Sequence, residues 1–308
     1  MISGNKILAH LGNGKRPVTA DIYLTDYCNN DCPYCNYTRT QKRHGDIMTA
    51  DEFKSYVDRL LSLGVEGVIL TGGGEPTVSP YFDEITAFLE QSDIPYGVNT
   101  NFNIYHDCHP MFLKVSLDGY SKQSYLRRRG VDAYEKTIEN IERFAKGKQR
   151  TKLGLQMLAL DPADIVPFYE AHKDIDFDYI VFRPIESNRG FYYDNAKHES
   201  DAERIRELVT ELRDSDQRVI LNYKFDLIRD SCDSCPAHWA QLCINPKGEV
   251  LYCCHKPTEI VGHIMDDNIL EKHNFGKFRS ETCDIPCRLS GPNKALRELD
   301  GIKERMFI

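Results

Sequence analysis

The chain has 308 residues, of which 41% are hydrophobic and 28% charged, so it can bury a sizeable core and is too apolar for a disordered protein. Its formal net charge of −8 is opposite to the cationic excess of nucleic-acid-binding proteins and argues against a nucleic acid as a partner. The sequence has neither an 18-residue apolar run nor the apolar core of a signal peptide, so we expect a cytoplasmic protein without a membrane partner.

Short apolar strands alternate with amphipathic helices along the first two thirds of the chain. Thr49 and Glu52 have the spacing of a capping box, which predicts that the first helix begins there. Later helices are predicted from Phe82 to Leu89, after Asp132, near 163–173 and near 199–214. The predicted strands are 18–25, 67–70, 96–100, 113–117, 153–160 and 178–183.

Six β/α units predict an α/β fold with a parallel sheet, which suffices for a partial (β/α)6 TIM-like barrel. Sites in such sheets lie at the carboxyl ends of the strands. From about residue 216 the pattern changes to short runs rich in cysteine and turn residues. We therefore predict an N-terminal extension (1–17), the barrel (18–215) and a small C-terminal cysteine-rich domain (216–308).

The 11 cysteines are odd in number and strongly clustered. Because disulfides are disfavoured in a reducing cytoplasm, this density indicates metal ligands, cluster ligands or catalytic thiols. The first group, Cys28, Cys32 and Cys35, follows the first strand with C-x3-C-x2-C spacing. Three thiolates without a local fourth ligand can hold three corners of an iron–sulfur cubane and leave one iron open. The nearest other candidate ligand is His44.

This group, with the aromatic Tyr34 before its last cysteine, resembles the signature of the radical S-adenosylmethionine (radical SAM) superfamily. Gly73, Gly74 and Glu75 are similar to the family's GGEP motif, whose backbone and carboxylate accept from the SAM ammonium. Other polar residues resemble the family's further SAM contacts: Asn101 at the end of the third strand, Ser116 and Asp118 for the ribose and carboxylate, and Arg129 for the carboxylate. For Arg127 and Arg128 we expect a solvated helix face.

The resemblance implies a [4Fe-4S] cluster that binds SAM through its open iron. Reductive cleavage of SAM then gives methionine and a 5′-deoxyadenosyl radical, which removes a hydrogen atom from a substrate carbon. A flavodoxin- or ferredoxin-type electron donor is implied as a partner. The substrate is expected to be a peptide or a small metabolite.

The second cysteine group surrounds a predicted hairpin, whose turn is Asn245 to Gly248. Alternation along its second strand predicts that Cys254 shares a face with Val250 and Cys243. This segment resembles the Twitch form of the SPASM extension of radical SAM enzymes. The resemblance implies one auxiliary [4Fe-4S] cluster, with these ligands: Cys235, Cys253, Cys283 and Cys287. Cys232 is an alternative to Cys235, and a structural zinc site is an alternative to the cluster.

Four cysteines are left without a predicted ligand role, and Cys108 is expected to be a buried apolar residue. Cys254 is the candidate for a thiol that donates a hydrogen atom to a substrate radical. Two reactions fit the pattern, dehydrogenation assisted by the auxiliary cluster and epimerisation assisted by a thiol. A zinc-stabilised binding module without catalysis is the alternative function.

Overall fold

The computed structural model describes residues 16–35, 37, 45–184, 195–222, 235, 238–254, 256–275 and 293. Its described strands form one ten-stranded, mostly parallel sheet with the order β10-β9-β8-β1-β2-β3-β4-β5-β6-β7. The strands are β1 (Thr19–Tyr23), β2 (Gly67–Thr71), β3 (Tyr96–Thr100), β4 (Phe112–Ser116), β5 (Lys152–Leu158), β6 (Tyr179–Arg183), β7 (Val219–Leu221), β8 (Gln241–Ile244), β9 (Glu249–Leu251) and β10 (Ile260–His263).

The helices that connect these strands are named in chain order: α1 (Ala50–Ser62), α2 (Phe82–Gln91), α3 (Lys122–Arg129), α4 (Tyr134–Gly147), α5 (Ile165–His172), α6 (Asn195–Ser215) and α7 (Ile269–Phe275). The predicted capping box is confirmed, since the Thr49 and Glu52 side chains each accept from the other residue's backbone N–H. None of these helices is long and apolar enough to cross a membrane.

The α/β fold with a mostly parallel sheet is confirmed. Strands β1 to β7 follow one another in sheet order and are all parallel, so right-handed crossovers place the connecting helices on one face. The main hydrophobic core fills the space between that face and the helices, where Ile22, Leu113 and Phe182 meet Phe53, Ile141 and Phe168. We call the other side of the sheet its polar face.

The C-terminal segment adds strands to both sides of the predicted barrel. β7 pairs with β6, and β8 pairs with β1, both in parallel. β9 and β10 then continue the sheet in antiparallel fashion beyond β8. The division at residue 216 stays a prediction, and strands on the C-terminal side of that position lie in the same sheet as β1 to β6.

One buried histidine makes the fold sensitive to acid. His172, at the end of α5, is 1% exposed; its Nδ1 donates to the Phe168 carbonyl at 2.7 Å and its Nε2 accepts from the Tyr134 hydroxyl at 3.2 Å. Burial lowers the pKa of His172 to about 4. Between that value and the ordinary pKa of histidine, near 6.5, the unfolded chain binds a proton that the folded chain does not.

Stability should therefore fall as the pH drops through this window. We expect His172 to contribute a loss of about 3 kcal/mol in the free energy of unfolding between pH 7 and pH 4. In His172→Gln this part of the pH dependence should disappear, whereas His109→Gln, which changes a more exposed histidine, should keep it. Urea unfolding at a series of pH values measures the difference, and identical pH profiles for wild type and His172→Gln would contradict the assignment.

Candidate functional site

The first cysteine group lies in the loop that follows β1, where all three thiols are partly exposed. A turn brings two of them together, since the Cys35 N–H donates to the Cys32 carbonyl at 3.1 Å. Burial, followed by the charge of Glu75, raises the pKa of Cys28, and burial raises the pKa of Cys32 to about 12. In the metal-free protein these groups are therefore thiols, and binding of a metal or cluster must release their protons.

The three thiols fit a cluster better than a single ion. In the described part of the chain, no three His, Cys, Asp or Glu side chains surround a position suited to one metal ion. The thiols nevertheless influence one another, because Cys35 raises the pKa of both Cys28 and Cys32. Thiolates that bind different irons of a cubane are farther apart than thiolates around one zinc ion. The all-sulfur donor set thus agrees with an iron–sulfur cluster.

Residues from the ends of β3 and α3 hold this loop in place. The Asn101 amide donates to Asn29 Oδ1 at 2.6 Å, and the Asp31 N–H donates to the Arg129 carbonyl at 3.0 Å. Gly130 caps α3 in the left-handed region, with φ of 74°, and any side chain there would overlap the Asp31 carbonyl. The cysteine loop is therefore positioned by residues far away in the sequence.

Glu75 joins the carboxyl ends of three adjacent strands. Its Oε1 accepts from the Thr77 N–H at 3.1 Å, the Thr77 hydroxyl at 2.7 Å and the Thr100 hydroxyl at 2.5 Å, and its Oε2 accepts from the Asn101 N–H at 2.7 Å. The Glu75 N–H donates to the Tyr27 carbonyl at 2.6 Å. Glu75 is only 4% exposed, and its hydrogen bonds hold the three strand ends together. Its contact with the SAM ammonium stays a prediction.

The predicted glycines of this loop, Gly73 and Gly74, also have a packing role. A side chain at Gly74 would overlap the Tyr27 carbonyl, and one at Gly73 would overlap the Tyr37 ring. The absence of side chains therefore lets this loop lie directly against the cysteine loop. The sequence also predicts that this backbone approaches SAM closely, and that contact stays a prediction.

Asp118 accepts hydrogen bonds from two other residues that are predicted to contact SAM. Its Oδ2 accepts from the Tyr34 hydroxyl at 2.8 Å and from Arg129 Nη1 at 2.9 Å, and its Oδ1 accepts from the Leu158 N–H at 2.7 Å. It is 1% exposed and has a positive φ of 58°. The structure thus brings Tyr34, Asp118 and Arg129 together, and the contact of these residues with SAM stays a prediction. Ser116, half-buried at the end of β4, lies opposite Gln156 on the neighbouring strand.

One expectation for α3 is wrong. Arg128 does not lie on a solvated helix face, because it is 6% exposed, pairs with Asp164 and donates from Nη1 to the Leu158 carbonyl at 3.3 Å. Arg127, by contrast, is exposed as expected. The sequence gives no local signal of this difference, since the partner of Arg128 is 36 residues away.

Two of the predicted auxiliary-cluster ligands, Cys235 and Cys253, are described and buried, each 9% exposed. The Asn293 amide donates to Cys235 Sγ at 3.2 Å, and His238 Nδ1 donates to the Cys235 carbonyl at 2.6 Å. The other two predicted ligands, Cys283 and Cys287, lie outside the described residues, as does the alternative ligand Cys232.

The predicted hairpin forms around Gly248, which has φ of 76°, but one cross-strand prediction is wrong. Cys243 lies opposite Leu251 rather than beside Val250, whose partner is Ile244. The connection is one residue longer than a turn that pairs Asn245 with Gly248, because the Asn245 N–H donates to the Glu249 carbonyl at 3.0 Å. Cys108 is buried in the main core, as expected.

The partly exposed Cys254 packs against a small cluster formed by Tyr23, Cys243 and Leu251. Tyr37 packs against the same cluster, and its ring also lies over Gly73. Cys254 and Tyr37 therefore pack against the same small cluster, which includes Tyr23 of β1.

Several polar residues of the sheet were not predicted as site residues. They occupy alternate positions on the polar face: Asp21, Asn99, Lys114, Gln156 and Arg183. The signal was present in the sequence as polar residues between core residues of the strands, in YGVNT and FLKVS.

Comparison with known proteins agrees with this geometry. Residues 22–163, which include the cysteine loop, Glu75, Asp118 and Arg129, match the radical SAM superfamily. This part of the chain is a radical SAM domain. A curated relative, the AdoMet-dependent heme synthase of Methanosarcina barkeri, is 26% identical over 192 residues, which are 59% of this chain and 54% of the relative. The chain spans about half the length of the curated relatives it matches.

Solved structures extend the likeness in fold to most of the chain. Streptococcus suis SuiB bound to precursor peptide SuiA aligns with a TM-score of 0.66 at 17% identity, covering 88% of this chain and 69% of SuiB. Native anSMEcpe with bound AdoMet aligns with a TM-score of 0.66 at 20% identity, covering 85% of this chain and 83% of that protein. At these identities the similarity shows the fold alone.

The hydrogen bonds of Glu75 predict that its substitution lowers the stability of the fold. Glu75→Gln places an amide NH2 against groups that are themselves donors, so we expect the free energy of unfolding to fall by about 2 kcal/mol. Glu66→Gln makes the same chemical change at an exposed position and should alter stability by less than about 0.5 kcal/mol. Chemical denaturation of both variants measures this, and equal stability of Glu75→Gln and wild type would contradict the role.

Proposed function

We propose that this protein is a cytoplasmic radical SAM enzyme that reductively cleaves SAM and removes a hydrogen atom from a C–H bond of a peptide or small-molecule substrate. The observation that carries the proposal is the convergence of three cysteine thiols with Glu75, Asn101 and Asp118 at the carboxyl ends of four adjacent strands. A flavodoxin- or ferredoxin-type protein is the proposed electron donor. A peptide substrate is supported by the similar fold of SuiB, one structure of which contains its precursor peptide.

In this proposal Cys28, Cys32 and Cys35 bind a [4Fe-4S] cluster whose fourth iron receives SAM. When bound, the cluster and SAM supply the 5′-deoxyadenosyl radical that reacts with the substrate. The protein's own contribution is to position the cluster and SAM and to shield the radical from water. Asp118 and Arg129 present a fixed, buried polar pair beside the cysteine loop, and Glu75 holds the adjacent backbone rigid.

An auxiliary [4Fe-4S] cluster bound by Cys235, Cys253, Cys283 and Cys287 is part of the proposal. The choice of Cys235 over Cys232 is supported by the surroundings of Cys235. Its sulfur accepts from the Asn293 amide and its carbonyl from His238, which is how outer residues orient a ligating side chain.

The proposed cluster at the first cysteine group predicts the behaviour of single variants. Cys28→Ala, Cys32→Ala and Cys35→Ala should each reduce dithionite-driven formation of 5′-deoxyadenosine to the level without enzyme. Cys108→Ala, which changes a buried core thiol, should retain cleavage, and Cys283→Ala should retain it while losing half of the iron. Mass spectrometry of anaerobically reconstituted protein measures the nucleoside.

Metal analysis of the same samples separates the enzyme from a zinc-stabilised binding module. We expect roughly eight irons per chain in the wild type, as two cubanes require. Stoichiometric zinc together with no SAM cleavage would overturn the proposed function. Normal cleavage by the three variants of the first group would overturn the ligand assignment.

Dehydrogenation and epimerisation are both compatible with the site, and solvent deuterium distinguishes them. If Cys254 donates hydrogen to the substrate radical, its exchangeable S–H should place deuterium on the product carbon in heavy water, and Cys254→Ala should abolish this. Dehydrogenation should instead give a product that lacks two hydrogens and gains no deuterium at that carbon. Cys108→Ala is the matched control for the loss of a thiol, and unchanged deuterium incorporation in Cys254→Ala would exclude Cys254 as donor.

A further inference from the structure

The loop that follows β3 contains a residue in a strained backbone conformation. Phe102 has φ of 58°, in the left-handed region, which is unfavourable for a bulky side chain. Its side chain is buried in the main core, and its carbonyl accepts from the Asn140 amide at 2.9 Å. Because such a conformation persists only where its surroundings hold it, the contacts on both sides of Phe102 fix this loop.

The same loop holds the cysteine loop in place. The Asn101 amide donates to Asn29 Oδ1, and the side-chain amides of Asn103 and Asn30 are in contact at 2.6 Å. Asn29 and Asn30 lie within the first cysteine group. A movement of the loop after β3 is therefore transmitted to the segment that carries the predicted cluster ligands.

His106 attaches the far end of this loop to the segment that follows β2. Its Nδ1 is 2.6 Å from Asp83 Oδ1 in the first turn of α2, and its Nε2 is 3.0 Å from the Thr77 carbonyl oxygen. Thr77 in turn donates to Glu75, which also accepts from the Asn101 N–H at the near end of the loop. Both ends of the loop are therefore attached to Glu75 and Thr77.

Both groups that face the His106 ring are hydrogen-bond acceptors. A carboxylate and a peptide carbonyl have no hydrogen to donate, so each needs an N–H from the ring. A neutral imidazole carries one N–H and would place a lone pair against the other acceptor, whereas an imidazolium carries two. The hydrogen bonds of His106 are therefore complete only when the ring is doubly protonated.

Of the two contacts, the one with Thr77 holds the loop more firmly. Thr77 is 3% exposed, whereas the Asp83 side chain is 76% exposed, and an ion pair at an exposed position is weak. Other charged or titratable groups lie on the elements around the ring: Glu84 of α2, which pairs with Lys54, Glu75 behind Thr77, Tyr105, Asp107, Cys108 and His109 of the same loop, and Arg143 of α4, which stacks over Tyr105.

We propose that His106 is a positioning residue of the proposed SAM and cluster site and that it acts as a cation. Doubly protonated His106 holds the loop after β3 against Thr77, and this loop holds the cysteine loop. Loss of one ring proton leaves one acceptor facing a lone pair, so the site loosens as the pH rises. The inference rests on the proposed function, since it concerns the control of that site by pH.

NMR of the ring nitrogens in histidine-labelled, reconstituted wild type tests the protonation. The nitrogen shifts distinguish an imidazolium from the neutral forms, and loss of one signal in His106→Gln assigns the resonance. In a series from about pH 5.5 to about pH 9, which spans the ordinary pKa of histidine, both ring nitrogens should carry hydrogen at the acid end and one at the alkaline end. A ring whose charge does not change over this series would overturn the proposal.

Amide hydrogen exchange in the same protein measures how firmly the loop is held. The N–H groups of Asn101, Phe102 and Asn103 donate to side-chain oxygens at 2.7, 2.8 and 3.0 Å, so their exchange reports opening of the loop. After correction for its intrinsic pH dependence, this exchange should accelerate about tenfold at the pH at which the ring loses its proton. Acceleration at a different pH, or none, would overturn the proposal.

Two substitutions separate the charge of His106 from the presence of a side chain. His106→Arg supplies a permanent cation with several donors, so its loop should exchange slowly over the whole pH series. His106→Gln has no titratable ring and should exchange about tenfold faster than His106→Arg throughout. A pH response that persists in folded His106→Gln would overturn the proposal.

His109→Gln is the matched control, because it removes a more exposed histidine of the same loop, and it should behave as the wild type. A loss of the pH response in this variant would overturn the assignment to His106. Circular dichroism and iron content establish that each variant is folded and loaded.

SAM turnover gives a readout that a merely structural role would not move. At the alkaline end of the series, the KM for SAM should be about tenfold lower in His106→Arg than in the wild type, with similar kcat, and at the acid end the two should agree. Equal KM at both ends would overturn the proposal. Absent SAM cleavage by the wild type is a failure of the proposed function instead, because the NMR and exchange results need no turnover.

Discussion

The buried pair of Asp118 and Arg129 is the interaction on which the site depends. Through this one carboxylate, the end of β4 is joined to α3 by Arg129, to β5 by the Leu158 N–H and to the cysteine loop by Tyr34. Both partners are at least nine-tenths buried, so removal of either would leave a charge without compensation, at a cost of about 3–5 kcal/mol. The geometry of the cysteine loop is thus set by a polar contact that itself needs no metal.

β1 lies between the two parts of the chain that carry the cysteine-associated loops, because it has a parallel partner on each side. β2 leads into the loop of Glu75, and β8 leads into the hairpin that carries Cys253 and Cys254. The two cysteine groups, far apart in sequence, therefore flank the same strand. Cys254, from the second group, and Tyr37, two residues after Cys35, both pack against the cluster that contains Tyr23 of β1.

The regular elements could be predicted from local patterns, whereas the site's contacts could not. β3 has the predicted bounds, and the capping box of α1 forms because its two partners are three residues apart. The pairing of Asp118 with Arg129 and the burial of Arg128 depend instead on where whole elements meet, for which spacing carries no information. The polar face of the sheet was missed for a related reason, because a single polar residue in a strand, such as Lys114 in β4, does not reveal what its face of the sheet contacts.

The position of β8 also has a consequence for the order of assembly. Asp21 of β1 and its neighbour Cys243 are separated by 222 residues, so one edge of β1 stays unpaired until most of the chain has left the ribosome. An unpaired apolar strand edge is a site for aggregation. Completion of the sheet by β8 closes that edge, so β1 is protected only after a strand more than 200 residues further along the chain has been made.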